Sequence, residues 1–150
     1  MALYHEGSRR LQDRFDTRRL ADRIDERTIA FPGYDGNGMY LTFGNALVNP
    51  HVGLLFIDFE GRKRLRLNGV ASIDEDDELL AEYPEAQFVV RVRATQVFPN
   101  CPRYIHRMAL VERSRFVPRE ESEVPVPDWK RTSWACDVLP ANDPARRPDR

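Results

Sequence analysis

Over residues 8–26, SRRLQDRFDTRRLADRIDE, the apolar positions Leu11, Phe15, Leu20 and Ile24 recur at mostly four-residue steps among arginines and aspartates. That period predicts a charged surface helix with one narrow docking edge. The pattern changes at Thr28. From there TIAF, MYLTF, HVGLLFIDF, RLRLNGVAS and QFVVRVRATQVF are runs rich in β-branched and aromatic residues, and each reads as a strand. Together they predict one mainly antiparallel sheet or barrel, β with short helices.

The connections carry their own signals. PGYDGNG, Pro32 to Gly38, supplies Pro-Gly, Asp-Gly and Asn-Gly steps suited to a tight reversal. GNALVNP reads as one helical turn capped at Asn45 and stopped before Pro50. DEDDELLAEYP, Asp74 to Pro84, reads as a short helix with its acidic residues at the N-terminal end, where the helix dipole favours them. After Val117 six prolines follow, so the chain is expected to run as an extended tail whose last ten or so residues are disordered. Trp129 and Trp134 are the tail's apolar anchors, on the body or on a partner subunit. The organisation expected is an N-terminal helix over 1–27, a barrel-type domain over 28–118 and a Pro-rich tail over 119–150.

Composition narrows the picture. A chain of 150 residues can bury a real core without disulfide staples. With 23 basic and 24 acidic residues the net charge is -1, which argues against a dedicated nucleic-acid or anionic-membrane surface. The first fifteen residues lack an apolar signal region, and the longest apolar run, Val52 to Ile57, is far too short to span a bilayer, so a soluble cytoplasmic protein is expected. Cys101 and Cys136 are read as reduced thiols.

Four stretches could carry chemistry. In KRLRLNGVAS, alternation places Leu65, Leu67 and Ala71 on one face and Arg64, Arg66 and Asn68 on the other. The second face is either a solvated strand surface or an anion contact, since two guanidiniums offer paired donors to a phosphate. Asn45 either caps a helical turn or helps present free N–H groups to a phosphate. The acidic run Asp74 to Glu78 lacks the alternating ligands and glycine turn of a calcium loop and reads as a solvated helix start. In FPNCPRYIHRM, Cys101, Arg103 and His106 contain the ingredients of an activated thiol, but too few ligands for zinc. Pro99 and Pro102 suit a strand leaving the sheet at a rim, with Arg103 and His106 aimed into an adjoining cleft.

Taken in order and spacing, DGNGMYLTFGNALVNPHVGLLFIDF, RLRLNGVAS and FPNCPRYIHRM resemble the pyridoxamine 5'-phosphate oxidase-related flavin-binding family, from about Thr28 to Pro118. The N-terminal helix and the VPDWK tail look like extensions of some members. The resemblance implies a split β-barrel that dimerises and holds FMN between subunits. It implies Thr42 and Asn45 near the flavin, Arg64 and Arg66 on a strand lining the cleft, and Arg103 and His106 toward a small-molecule substrate. Similar proteins carry further strands and a basic Gly-rich segment between the helix and the ERTIAF strand. Here Ile24 runs almost directly into Thr28, and about 40 residues, two or three strands with their turns, are absent. The expected fold is therefore an incomplete split barrel of FMN-binding type.

Two functions follow from that expectation. One is an FMN-dependent oxidoreductase acting as a homodimer on a small molecule. The other is a dimeric, non-catalytic module for a flavin or another phosphorylated ligand. Single-stranded nucleic-acid binding through Tyr34, Tyr40 and Phe43 is disfavoured by the balanced charge.

Overall fold

The computed structural model describes residues 22–118 and 123–147. It is mainly β: one antiparallel half-barrel sheet with a few short helices, an incomplete split barrel. The strands are β1 (Asp22–Arg23), β2 (Thr28–Tyr34), β3 (His51–Asp58), β4 (Lys63–Asp74) and β5 (Ala86–Asn100), in the spatial order β1-β2-β5-β4-β3. Helix α1 (Leu41–Val48) joins β2 to β3, and α2 (Ser133–Cys136) lies in the tail.

β5 is the spine of the sheet. It pairs with β2 through Ala86 to Arg93 and with β4 from Val89 to Asn100. An extra residue, Thr95, bulges between the pairs Gly69–Ala94 and Asn68–Gln96, and its hydroxyl donates to the Asn68 carbonyl at 3.0 Å. Gly69 is required there, because a Cβ would stand 2.5 Å from the Arg93 carbonyl oxygen. Pro99 sits in the part of β5 beyond β2, where one edge is unpaired and a missing N–H breaks no ladder bond.

Period-two alternation sorts the sheet into two faces. The inner face carries the larger core, Ile29, Leu67, Phe88, Val90 and Val92, with Phe31, Val52, Leu54 and Phe56 packed around it. α1 lies over this face, and the Phe43 ring meets Phe88 edge-on at 4.7 Å. The outer face holds a smaller cluster of Ala30, Val89 and Tyr83, covered by Leu79 and Leu80. These leucines belong to a 3₁₀ turn, Glu78–Glu82, whose N-cap Asp77 accepts from the Leu79 N–H at 2.9 Å.

Three expectations are corrected. MYLTF is not a strand: Tyr40 takes a left-handed conformation with φ 49° and the helix starts at Leu41. Asn45 is consequently mid-helix, its carbonyl accepting from Asn49, and it caps nothing. The predicted N-terminal helix lies outside the described residues except for its end, where Asp22–Arg23 forms a strand against β2. The Asp25 carboxylate turns this hairpin by accepting from the N–H groups of Arg27 and Thr28 at 2.6 and 2.7 Å.

The tail also differs from expectation. Residues 128–131, 133–136 and 144–146 form short helical turns. Trp129 and Trp134 stack on each other, with ring centroids 6.0 Å apart, and Lys130, Ala135, Leu139 and Asp143 are buried. Within the final ten residues, expected to be disordered, Asp143 is buried and Pro144–Arg146 form a turn, while 148–150 lie outside the described part.

Candidate functional site

The sequence-predicted site residues fall in three places. Arg64 and Arg66 sit on β4, pointing away from the inner core that contains Leu67. Arg66 pairs across the sheet with Leu55 on β3 and Phe98 on β5, and Arg64 pairs with Ile57 and Asn100. Leu55 and Phe98 are 44% and 40% exposed, so this end of the outer face is uncovered and mixes aliphatic, aromatic and guanidinium groups. The Nε of Arg64 is buried and has no hydrogen-bond partner. A guanidinium with an unused, desolvated donor beside a flat apolar surface is suited to a planar ligand bearing an anionic group.

Thr42 and Asn45 lie on exposed positions of α1, over the inner face. Thr42 lines a cavity of 290 Å³ between the 34–38 loop and the start of α1, together with Tyr34, Asn37, Tyr40 and Phe43. The Tyr40 hydroxyl donates to the Gln87 Oε1, leaving the buried Nε2 of Gln87 unpaired. Burial raises the Tyr40 pKa above its ordinary value, so this phenol stays protonated and acts as a hydrogen-bonding group.

Arg103 and His106 form a third group. β5 ends at Asn100, and residues 101–117 continue without regular structure, turning at Pro102–Ile105 through a left-handed Tyr104. Both Arg103 and His106 are exposed. The segment touches the β3–β4 turn through the Met108 N–H and the Phe59 carbonyl, at 3.4 Å. Cys101 is exposed as well, and both cysteines are free thiols.

A single copy therefore does not assemble the expected constellation. Thr42 and Asn45 are on one side of the sheet, and Arg64 and Arg66 are on the other. The arginines offer paired donors on the outer face, whereas the α1 residues lie on the inner face, Thr42 beside its cavity. Among the described residues no group of three or more His, Cys, Asp or Glu side chains is placed to hold a metal. Among the described residues no helix is long and apolar enough to cross a membrane.

One feature escaped sequence reading. Lys130 is fully buried, and its ammonium donates to Asp35 at 2.6 Å and to the equally buried Asp143 at 2.7 Å. Its burial would depress the pKa, but the two carboxylates outweigh that and raise it. The available signal was a lone lysine, in PDWKR, within an otherwise Pro-rich segment. Its partners 95 and 13 positions away gave no local pattern.

No family model matches the chain, and no match was found among curated proteins. Among solved structures, HupZ of group A Streptococcus shares 18% identity at a TM-score of 0.43, over 53% of this chain and 67% of that one. A candidate pyridoxamine 5'-phosphate oxidase from Lactobacillus delbrueckii shares 20% identity at a TM-score of 0.43, over 52% of this chain and 66% of that one. Both are likenesses of part of the fold.

Proposed function

We propose that the protein is an FMN-binding, split-barrel oxidoreductase-like protein that works as a homodimer. The observation that carries this reading is the uncovered Leu55–Arg66–Phe98 row, with the unpartnered Arg64 Nε beside it. Arg64 and Arg66 take the phosphate, the apolar row takes ring surface, and Thr42 and Asn45 of the second copy reach the flavin from α1. Arg103 and His106, on the exposed segment after β5, face the substrate. A bound isoalloxazine supplies the redox step; the protein supplies binding, orientation and exclusion of water.

The test is a visible absorption titration of the purified protein with FMN, followed by desalting. Retention of a perturbed flavin band at one equivalent per copy supports the reading. A folded protein that retains none excludes it.

A second reading, a non-catalytic dimeric module for a flavin or other phosphorylated ligand, is favoured by one observation. The uncovered face contributes guanidiniums and apolar groups, with no acid or base among Leu55, Ile57, Arg64, Arg66 and Phe98. Bound FMN that reduced pyridine nucleotides do not bleach supports this second reading over the first.

A further inference from the structure

The 34–38 loop and the C-terminal segment meet at three points. Asp35 is ion-paired to Lys130. Gly38, at φ +75°, lies against the tail so closely that a Cβ would stand 3.1 Å from the Leu139 side chain and 3.7 Å from Asp143. Asp143 itself has both oxygens engaged, one by Lys130 and the other by the Ala145 N–H at 2.8 Å.

The tail side is in turn braced. Arg146 donates to the carbonyls of Cys136 and Leu139 at 2.5 and 2.9 Å, closing the turn that carries Leu139. The Lys130 ammonium also lies 5.6 Å from the centroid of the Trp129 ring.

Three residues after Gly38 the chain enters α1 through the left-handed Tyr40, whose hydroxyl is tied to Gln87 of β5. α1 buries none of its residues fully. Its packing on the sheet runs through Phe43 and the adjoining Tyr40, and contacts from the tail side add a second hold on the direction in which it leaves the loop.

We propose that the C-terminal segment is a clasp on this loop, and that Lys130 is a positioning residue: by holding Asp35 against Asp143 it fixes the entry to α1 and the placement of Thr42 beside the 290 Å³ cavity. The ligand consequence rests on the FMN reading above, while the positioning itself does not. A lysine at this place serves better than an apolar residue because it joins two carboxylates from separate segments. Removing it leaves both carboxylates without their shared cation, so the loop and the tail separate.

The experiment is peptide-resolved amide hydrogen exchange on the full chain, comparing wild type with Asp35→Asn and Lys130→Met. Asp35→Asn removes the charge on the loop side, weakening that tie to a neutral hydrogen bond, and leaves Lys130 paired with Asp143. Exchange over residues 35–48 is expected to rise about tenfold in this variant, with β4, β5 and residues 128–147 unchanged. Lys130→Met is expected to loosen 35–48 and 128–147 together while β4 and β5 keep their protection. Unchanged exchange over 35–48 in Asp35→Asn overturns the proposal, as does a uniform rise across the sheet. Should Lys130→Met fail to fold, the Asp35→Asn comparison still decides. FMN titration of the same proteins supplies the second readout, with affinity about tenfold weaker in Asp35→Asn. If wild type binds no FMN, the flavin reading fails and the exchange data still judge the clasp.

Discussion

Arg64 and Arg66 differ in what the fold leaves open to them. Arg66 is flanked by Leu55 and Phe98 in its cross-strand row, whereas Arg64 also has a buried Nε with no acceptor. A charge-assisted hydrogen bond to a phosphate is worth about 1.5–3 kcal/mol, so Arg64→Ala is expected to weaken FMN binding roughly tenfold to a hundredfold. Arg64→Lys should restore only part of this, because the ammonium cannot reproduce the paired donors. A fluorescence titration checks both, and unchanged affinity in Arg64→Ala removes the residue from the site. Asp77 gives a prediction of another kind. Its carboxylate accepts from Arg91 at 2.6 and 2.9 Å, which holds its pKa below the ordinary 3.8, against the opposing effect of burial. Stability from this pair is fully present above the unfolded value and is lost as pH falls through the lower folded value. Asp77→Asn keeps an acceptor for the Leu79 N–H and removes the charge, so it should cost about 1.5–3 kcal/mol at neutral pH. In urea melts, the gap between wild type and variant should close below about pH 4.

Elements differ in how openly the sequence announces them. β3, β4 and β5 were readable because their alternation is long and interrupted at few places, and the two faces of RLRL appear in the structure as the pattern implies. The helical turn read in GNALVNP is the second half of α1, whereas its start reads as strand because MYLTF alternates over five residues, and short apolar runs do not separate helix from strand. What decides is tertiary: Tyr40 and Phe43 must both reach Phe88, which the left-handed turn into a helix allows. β2 likewise runs to Tyr34, past the Pro-Gly step that reads as a turn, because Gly33 makes room for a ring from the neighbouring strand. A Cβ at Gly33 would fall 2.0 Å from the Phe88 ring, well inside contact distance. Gly33→Ala is therefore expected to destabilise the fold by about 1–3 kcal/mol, the range for overpacking, as read by urea midpoint. Combining it with Phe88→Leu should recover part of that loss, and failure to recover any would show the strain to lie in the backbone. Of the candidate site, the strand residues followed from periodicity, while the division of Thr42 and Asn45 from Arg64 and Arg66 depended on which face α1 covers. Lys130 could not be placed at all, since buried ion pairs join residues that no local pattern connects.

At the level of the whole molecule, the described sheet does not close on itself. Among the described residues β3 pairs only with β4, and the β2-side pairing of β5 reaches no further than Ala94, whose N–H donates to the Arg27 carbonyl at 2.7 Å. Edges of this kind are either covered or prone to association. The uncovered outer face lies at the same end of the sheet, with Leu55 and Phe98 substantially exposed around Arg64 and Arg66. In the homodimer proposed above, a second copy covers part of this apolar row. In a two-fold contact every substituted position appears twice, so a single charge introduced into the row is doubled in effect. Burying a leucine or phenylalanine side chain is worth about 1.5–3 kcal/mol, and Leu55→Asp should shift a dimer to monomer at micromolar concentration while the sheet stays folded. Sedimentation velocity across a concentration series, with circular dichroism on the same samples, reads both. A wild type that stays monomeric throughout removes the shared cleft and leaves the arginine face and the α1 cavity as separate sites. A dimer that survives Leu55→Asp and Phe98→Asp places its contact elsewhere, and then FMN, if bound, must be held by one face alone.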